Sequence, residues 1–233
     1  MNYIGDALKL TLNELSHVHK YNMLIYENIK QYLGKKILEI GAGVGNIGKL
    51  LIKSQPNLLV LTDFDEYCVE ILSKNYNGDS KIKVHKLDIS KESSISGFQI
   101  DTIVSINVLE HIEEDVKALV NCNKILCDNG RLILFLPANR FLYGELDRSL
   151  GHYRRYNKKE IVIKLQEAGF KIDKIKYFNC IGILGWFINS KILRSKKIPS
   201  FHLRAFEWIT YFVALEKYIR LPLGLSLIVV AHK

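Results

Sequence analysis

Cysteine is scarce and unpatterned in this 233-residue chain. Its four cysteines, Cys68, Cys122, Cys127 and Cys180, form no CxxC pair, and no histidine cluster accompanies them. That argues against a zinc or disulfide framework and for a reducing, cytoplasmic setting. No metal site is expected. No Pro/Gly-rich stretch interrupts the chain, and no repeat or low-complexity tract is present, so one domain is expected over residues 1–233. No run approaches the roughly 18 apolar residues of a membrane-spanning helix. The first residues, MNYIGDALKLTLNEL, lack the charged head and apolar run of a signal peptide.

What is plentiful is positive charge. Thirty-three Lys and Arg against 24 Asp and Glu leave a net charge of +9, which favours anionic partners without choosing among them. Hydrophobic residues make up 48%, an ordinary globular value. From residue 36 onward, strand-like and helix-like segments alternate. Strands are expected at 36–40, 58–62, 81–87, 101–108, 131–136, 171–178 and 226–232. Helices are expected at 46–53, 66–75, 113–127 and from the Asn157 cap to 168. Asn157 with Glu160 reads as a capping box, and Gly169 as the helix stop. Such alternation means a mostly parallel sheet covered on both faces. Residues 1–35 read as a helical cap over the strand ends, 36–180 as the core, 181–221 as an aromatic and basic insert, and 222–233 as the last strand.

The segment ILEIGAGVGNIG at 37–48 carries the functional argument. A strand ends at Ile40, and Gly41, Gly43 and Gly45 follow. Glycine lets the backbone bend sharply and approach a ligand closely, and the helix start beyond offers free N–H groups. The next two strands end in Asp63 and Asp88, placed to reach a ribose and the edge of an adenine. Ligands bind at these carboxyl ends in open α/β sheets.

Glu39, Gly41, Gly43 and Gly45 spell acid-x-Gly-x-Gly-x-Gly, and NVLEHI follows at 107–112. In these motifs the chain resembles the class I S-adenosylmethionine-dependent methyltransferases. The resemblance implies a Rossmann-like three-layer sandwich with a seven-stranded, mostly parallel sheet whose last strand is antiparallel. It implies S-adenosylmethionine as cofactor, with S-adenosylhomocysteine as product. Glu39 and the three glycines would line its methionine and ribose part, Asp63 the ribose, Asp88 the adenine amino group and Asn107 the methionine end. LDRSLGHYRRY at 146–156, YFNCIGILGW at 177–186 and PLGLSLIVVA at 222–231 resemble a bacterial subgroup often linked with glycosyltransferases and cell-surface glycan synthesis. Gly43, Gly45 and Gly48 also spell GxGxxG, so an NAD-dependent oxidoreductase is the competing cofactor reading.

Methyl transfer needs an aligned nucleophile, and a hydroxyl nucleophile usually needs a base. His152 is the first candidate and His111 the second. Arg154 and Arg155 are candidates for holding a phosphate or carboxylate; the alternative is one arginine buried against Glu145 or Asp147 and one solvated. Tyr143 and Tyr153 are candidates for stacking on a ring. The expected acceptor is a hydroxyl or amine of a small molecule, sugar or glycan. A nucleic-acid methyltransferase is the alternative, but SINVLEHI lacks the Asn/Asp-Pro-Pro-aromatic signature of the exocyclic-amine enzymes. A fold that only binds a partner is a third reading, opposed by the intact glycine turn and both acids. The 181–221 insert reads as a helical cover or dimer face, with peripheral membrane contact as the alternative.

Overall fold

A computed structural model describes residues 19–92, 95, 97–193, 213, 216 and 222–233. Seven strands form one sheet: β1 Lys36–Ile40, β2 Leu58–Asp63, β3 Ile82–Lys86, β4 Ile100–Ile106, β5 Leu126–Pro137, β6 Lys171–Phe178 and β7 Ser226–His232. Their order is β3-β2-β1-β4-β5-β7-β6. Neighbours among β1 to β5 pair in parallel, while β7 runs antiparallel to both β5 and β6. The antiparallel last strand is thus as expected. The chain starts at β1 and winds outward in both directions, so strand order reverses between β1 and β4. A crevice opens at such a switch point.

Period-two alternation splits the sheet's side chains between two cores. Leu38, Ile40, Ile103, Leu132, Leu134 and Val229 face Leu119 and Cys122 of helix α4 (Asp115–Ile125) and Ile161 and Leu165 of helix α6 (Lys158–Glu167). Ile37, Leu59, Leu61, Ile133, Phe135 and Ile228 face the other way, onto α1 (His19–Ile29), α2 (Gly48–Leu51) and α3 (Glu66–Asn75). Two short helices complete the described set: α5 (Glu145–Ser149) after β5 and α7 (Gly182–Phe187) after β6. None of the described helices is long and apolar enough to cross a membrane.

Three expectations need correction. Ile25, Tyr26 and Ile29 of α1 are buried in the second core, so this helix lies along a sheet face instead of capping the strand ends. Residues 1–18 lie outside the described set. The helix after the glycine turn begins at Gly48, not at 46, because the turn uses Asn46 and Ile47; a 3-10 turn (Ile52–Ser54) finishes it. The helix expected to run to 127 stops at Ile125, since Leu126 pairs with Ile100 and opens β5. Asn129, with φ at 60°, lies within that strand. Of the insert, α7 and a π-helical turn (Ile188–Ile192) are described; the aromatic and basic residues at 194–212 are not.

Candidate active site at the carboxyl rim

The glycine turn sits where β1 ends, in the switch-point crevice. Gly41, Gly43 and Gly45 all have positive φ, at 70°, 56° and 86°. At Gly41 a Cβ would also stand 2.4 Å from Val108 Cγ2, so this backbone can carry no side chain. Two bonds tie the turn to the end of β2: Ala42 N donates to Thr62 O, and Gly43 N donates to the Asp63 carboxylate, both at 2.9 Å.

Beneath the turn lies Glu39, 2% exposed, with Oε2 lacking any hydrogen-bond partner. Burial, with the charge of Asp63 adding, pushes its carboxyl up to about 8. The buried hydroxyl of Tyr76, which faces the same turn, is also without a partner. Orphaned polar atoms of this kind beside a bare backbone fit a polar ligand with a cationic group. Asp63 is buried, and burial raises its pKa; Oδ1 accepts from Asp65 N at 3.0 Å. Asp88 lies at the end of the next strand, half-buried. Burial works to raise its pKa, but Lys91 and Ser90 outweigh it and hold it below the usual range. Asn107 follows β4 in a left-handed conformation, φ 52°, exposed, with its N–H donated to Phe135 O. The structure therefore gathers Glu39, Gly41, Gly43, Gly45, Asp63, Asp88 and Asn107 along one rim, at the ends of β1 to β4. The donor set suits S-adenosylmethionine: a carboxylate for its ammonium, acids for ribose hydroxyls and an adenine amine.

The same 107–112 segment leads to a second polar cluster. Glu110, His111 and His152 bring one nitrogen or oxygen each to within 4.8 Å of one another. The two imidazoles meet edge to face, with centroids 4.7 Å apart. Glu110 is fully buried, and both of its carboxylate oxygens lack a hydrogen-bond partner. Burial raises it to about 7, against the pull of His152 and Arg155. Burial and the neighbouring His152 push His111 down to about 4, against a hydrogen bond to the Gly151 backbone. His152 Nδ1 lies 3.0 Å from Asp147 Oδ1. Asp147 is buried, which works to raise its pKa, but the His152 bond and the charge of Arg155 outweigh this and keep it ionised. An ionised Asp147 accepts only, so Nδ1 of His152 is the donor in this contact.

Arg155 is a correction. Its side chain is 1% exposed, its Nε donates to Asp147 at 2.7 Å, its Nη1 donates to Ala138 O, and Trp186 covers its guanidinium. It neutralises Asp147 and has no face left for a ligand. Arg154 is pinned to Asp115 (2.8 Å) and to Glu113 O (2.7 Å). Tyr143 donates to His152 O at 2.8 Å, and Tyr153 is exposed beside Arg154. Sequence pattern singles out neither Glu110, although it sits inside LEHI, nor Asp147 except as a partner for arginine.

A family described as "Methyltransferase domain" matches residues 38–132, from β1 into β5. Among curated proteins, the chain is 24% identical over 194 residues to a "Probable S-adenosylmethionine-dependent methyltransferase" of Mycolicibacterium smegmatis, covering 78% of this chain and 73% of that one. It is 30% identical over 151 residues to a hybrid PKS-NRPS synthetase of Trichoderma harzianum, covering 59% of this chain but spanning only 4% of the synthetase. Among solved structures, an S-adenosylmethionine-dependent methyltransferase from Mesorhizobium loti shares the fold, with a TM-score of 0.63 at 12% identity over 89% of this chain and 97% of that one. The matched segment and the Mycolicibacterium smegmatis relative are thus similar to S-adenosylmethionine-dependent methyltransferases, and the Mesorhizobium loti enzyme shares the fold.

Proposed function

We propose that the chain transfers a methyl group from S-adenosylmethionine to a hydroxyl or amine of a small molecule or sugar, in the synthesis of a cell-surface glycan or a secondary metabolite. One observation carries the reading. The 107–112 segment places Val108 over Gly41 and, two residues on, opens the Glu110–His111–His152 cluster, so cofactor cradle and acceptor chemistry share one loop. The bound cofactor supplies an electrophilic methyl on a sulfonium. In this reading Glu39 takes the cofactor's ammonium, Asp63 its ribose hydroxyls, Asp88 the adenine amine and Asn107 the methionine end. The cluster activates the acceptor, while Tyr143 holds the His152 backbone and Tyr153 lines the entrance. Transfer then depends mainly on alignment of the acceptor atom with the methyl carbon.

The test is calorimetric titration of the full chain with S-adenosylmethionine and, separately, NAD. Micromolar binding of the first alone supports the proposal. Binding of NAD alone overturns it in favour of an oxidoreductase; binding of neither leaves a fold that serves a partner. With the cofactor secured, His152→Ala is expected to lower turnover on an accepted substrate at least tenfold with little change in cofactor affinity.

A further inference from the structure

Glu110 poses a problem that methyl transfer alone does not answer. Both oxygens of its carboxyl are buried without a hydrogen-bond partner, so the group asks for a missing one. Its neighbours narrow what that partner is. Asp147 holds Nδ1 of His152, and His111 is hydrogen-bonded to the Gly151 backbone. Imidazoles with one nitrogen held by a carboxylate or a backbone group are the second-sphere signature of metal ligands. Arg155 pairs with Asp147 at 2.7 Å, whereas the Glu110 carboxyl beside the two imidazoles makes no hydrogen bond among the described residues.

We infer that Glu110, His111 and His152 bind one divalent transition-metal ion of the zinc class, with a coordination position left open for the acceptor. The donor set is two imidazole nitrogens and one carboxylate oxygen, a composition suited to zinc, cobalt or nickel and poorly suited to magnesium or calcium. Ligand atoms about 2.0–2.2 Å from one ion stand ~3.3–4 Å apart, so side chains now within 4.8 Å need close by only about an ångström. One carboxylate and two neutral imidazoles leave a single positive charge on the site, which an oxygen anion in the open position would cancel. That favours a hydroxyl acceptor over an amine. This refinement rests on the methyl-transfer reading for its chemistry. The acceptor oxygen binds the ion and releases its proton to water. It then forms the new bond to the methyl carbon as the carbon–sulfur bond breaks and its electron pair stays on sulfur. In this scheme His152 is a ligand and not the proton acceptor, and Asp147 positions it.

The experiment is titration of the metal-depleted full chain with Co2+, followed by its visible absorption bands, with Zn2+ added as competitor. One equivalent is expected to bind and to be displaced by Zn2+. Glu110→Gln and His111→Ala, each checked for a native circular-dichroism spectrum, should weaken binding at least tenfold. Asp147→Asn should weaken it about 10–100-fold through the orientation of His152. Cys127→Ser, which removes an exposed thiol remote from the cluster in sequence, should change nothing. Absence of bands in the wild type, or bands unchanged in Glu110→Gln and His111→Ala, overturns the site. The two readings fail separately. S-adenosylmethionine binding without cobalt binding removes the metal and keeps methyl transfer, whereas cobalt binding without cofactor binding keeps the site and removes methyl transfer.

Discussion

Gly41 and Glu39 stand two residues apart and meet opposite constraints. Gly41 has φ at 70° and no room for a Cβ against Val108. Gly41→Val is therefore expected to cost about 1–3 kcal/mol of stability and to weaken cofactor binding at least tenfold, read by chemical unfolding and by calorimetry. Glu39 is buried, and its Oε2 has no hydrogen-bond partner. Its carboxyl ionises near the usual 4.5 in the unfolded chain and only at about 8 in the folded one. Between those values the folded protein holds a proton that the unfolded chain has released. Its contribution to stability is thus complete below 4.5 and disappears as the pH climbs through about 8. Urea unfolding at about pH 5 and about pH 8 should show Glu39→Gln relieving part of the alkaline loss, by a few kcal/mol at most. An identical pH dependence in both proteins would mean that Glu39 is ionised in the free fold.

Among the elements, α6 shows what local sequence can specify. Asn157 Oδ1 accepts from Glu160 N at 2.8 Å, and Gly169 ends the helix at φ 84°, both at the positions the sequence marks. The reciprocal half of the capping box is less complete, since Glu160 Oε2 has no partner. Asn157→Ala should cost ~1 kcal/mol, seen as a melting temperature about 2–4 °C lower. Strand ends, glycine turn and the acids of β1 to β3 were legible because each is a short-range pattern with its own physical cause. The junction of α4 and β5 was not, because the helix is cut short by pairing of Leu126 with Ile100, a partner far away in the chain. The place of α1 was likewise set by the apolar face it meets, Ile37 and Leu59 among others, and not by its own residues. The Glu110–His111–His152 cluster is the same lesson at a site. Its members come from two loops after different strands, so no spacing announces them. In sequence, Arg155 fits either a ligand grip or a buried partner for Asp147, and only the folded pairing at 2.7 Å decides between them.

For the molecule as a whole, the sheet depends on β7. Val229 is fully buried, with Leu134 of β5 on one side and Ile175 of β6 on the other. Val229→Ala is expected to cost roughly 2–3 kcal/mol, measurable as a lower urea midpoint with the slope unchanged. Its position between two older strands also sets a timetable. β6 pairs with β7 and with no other described strand, and β7 is the last of the described strands in chain order. Until Ser226–His232 arrives, Lys171–Phe178 has an unsatisfied ladder on both sides, and the hydrophobic rows of β5 remain open. The parallel half can assemble early around β1, β2 and β4, whereas closure of the other edge waits on a long-range insertion, a slow step by its entropy. In pulsed hydrogen exchange the amides of β6 and β7 should gain protection together and after those of β1. A nascent chain stalled before residue 226 would expose an adhesive edge, so the hazard to this protein lies in the interval before its final strand is delivered.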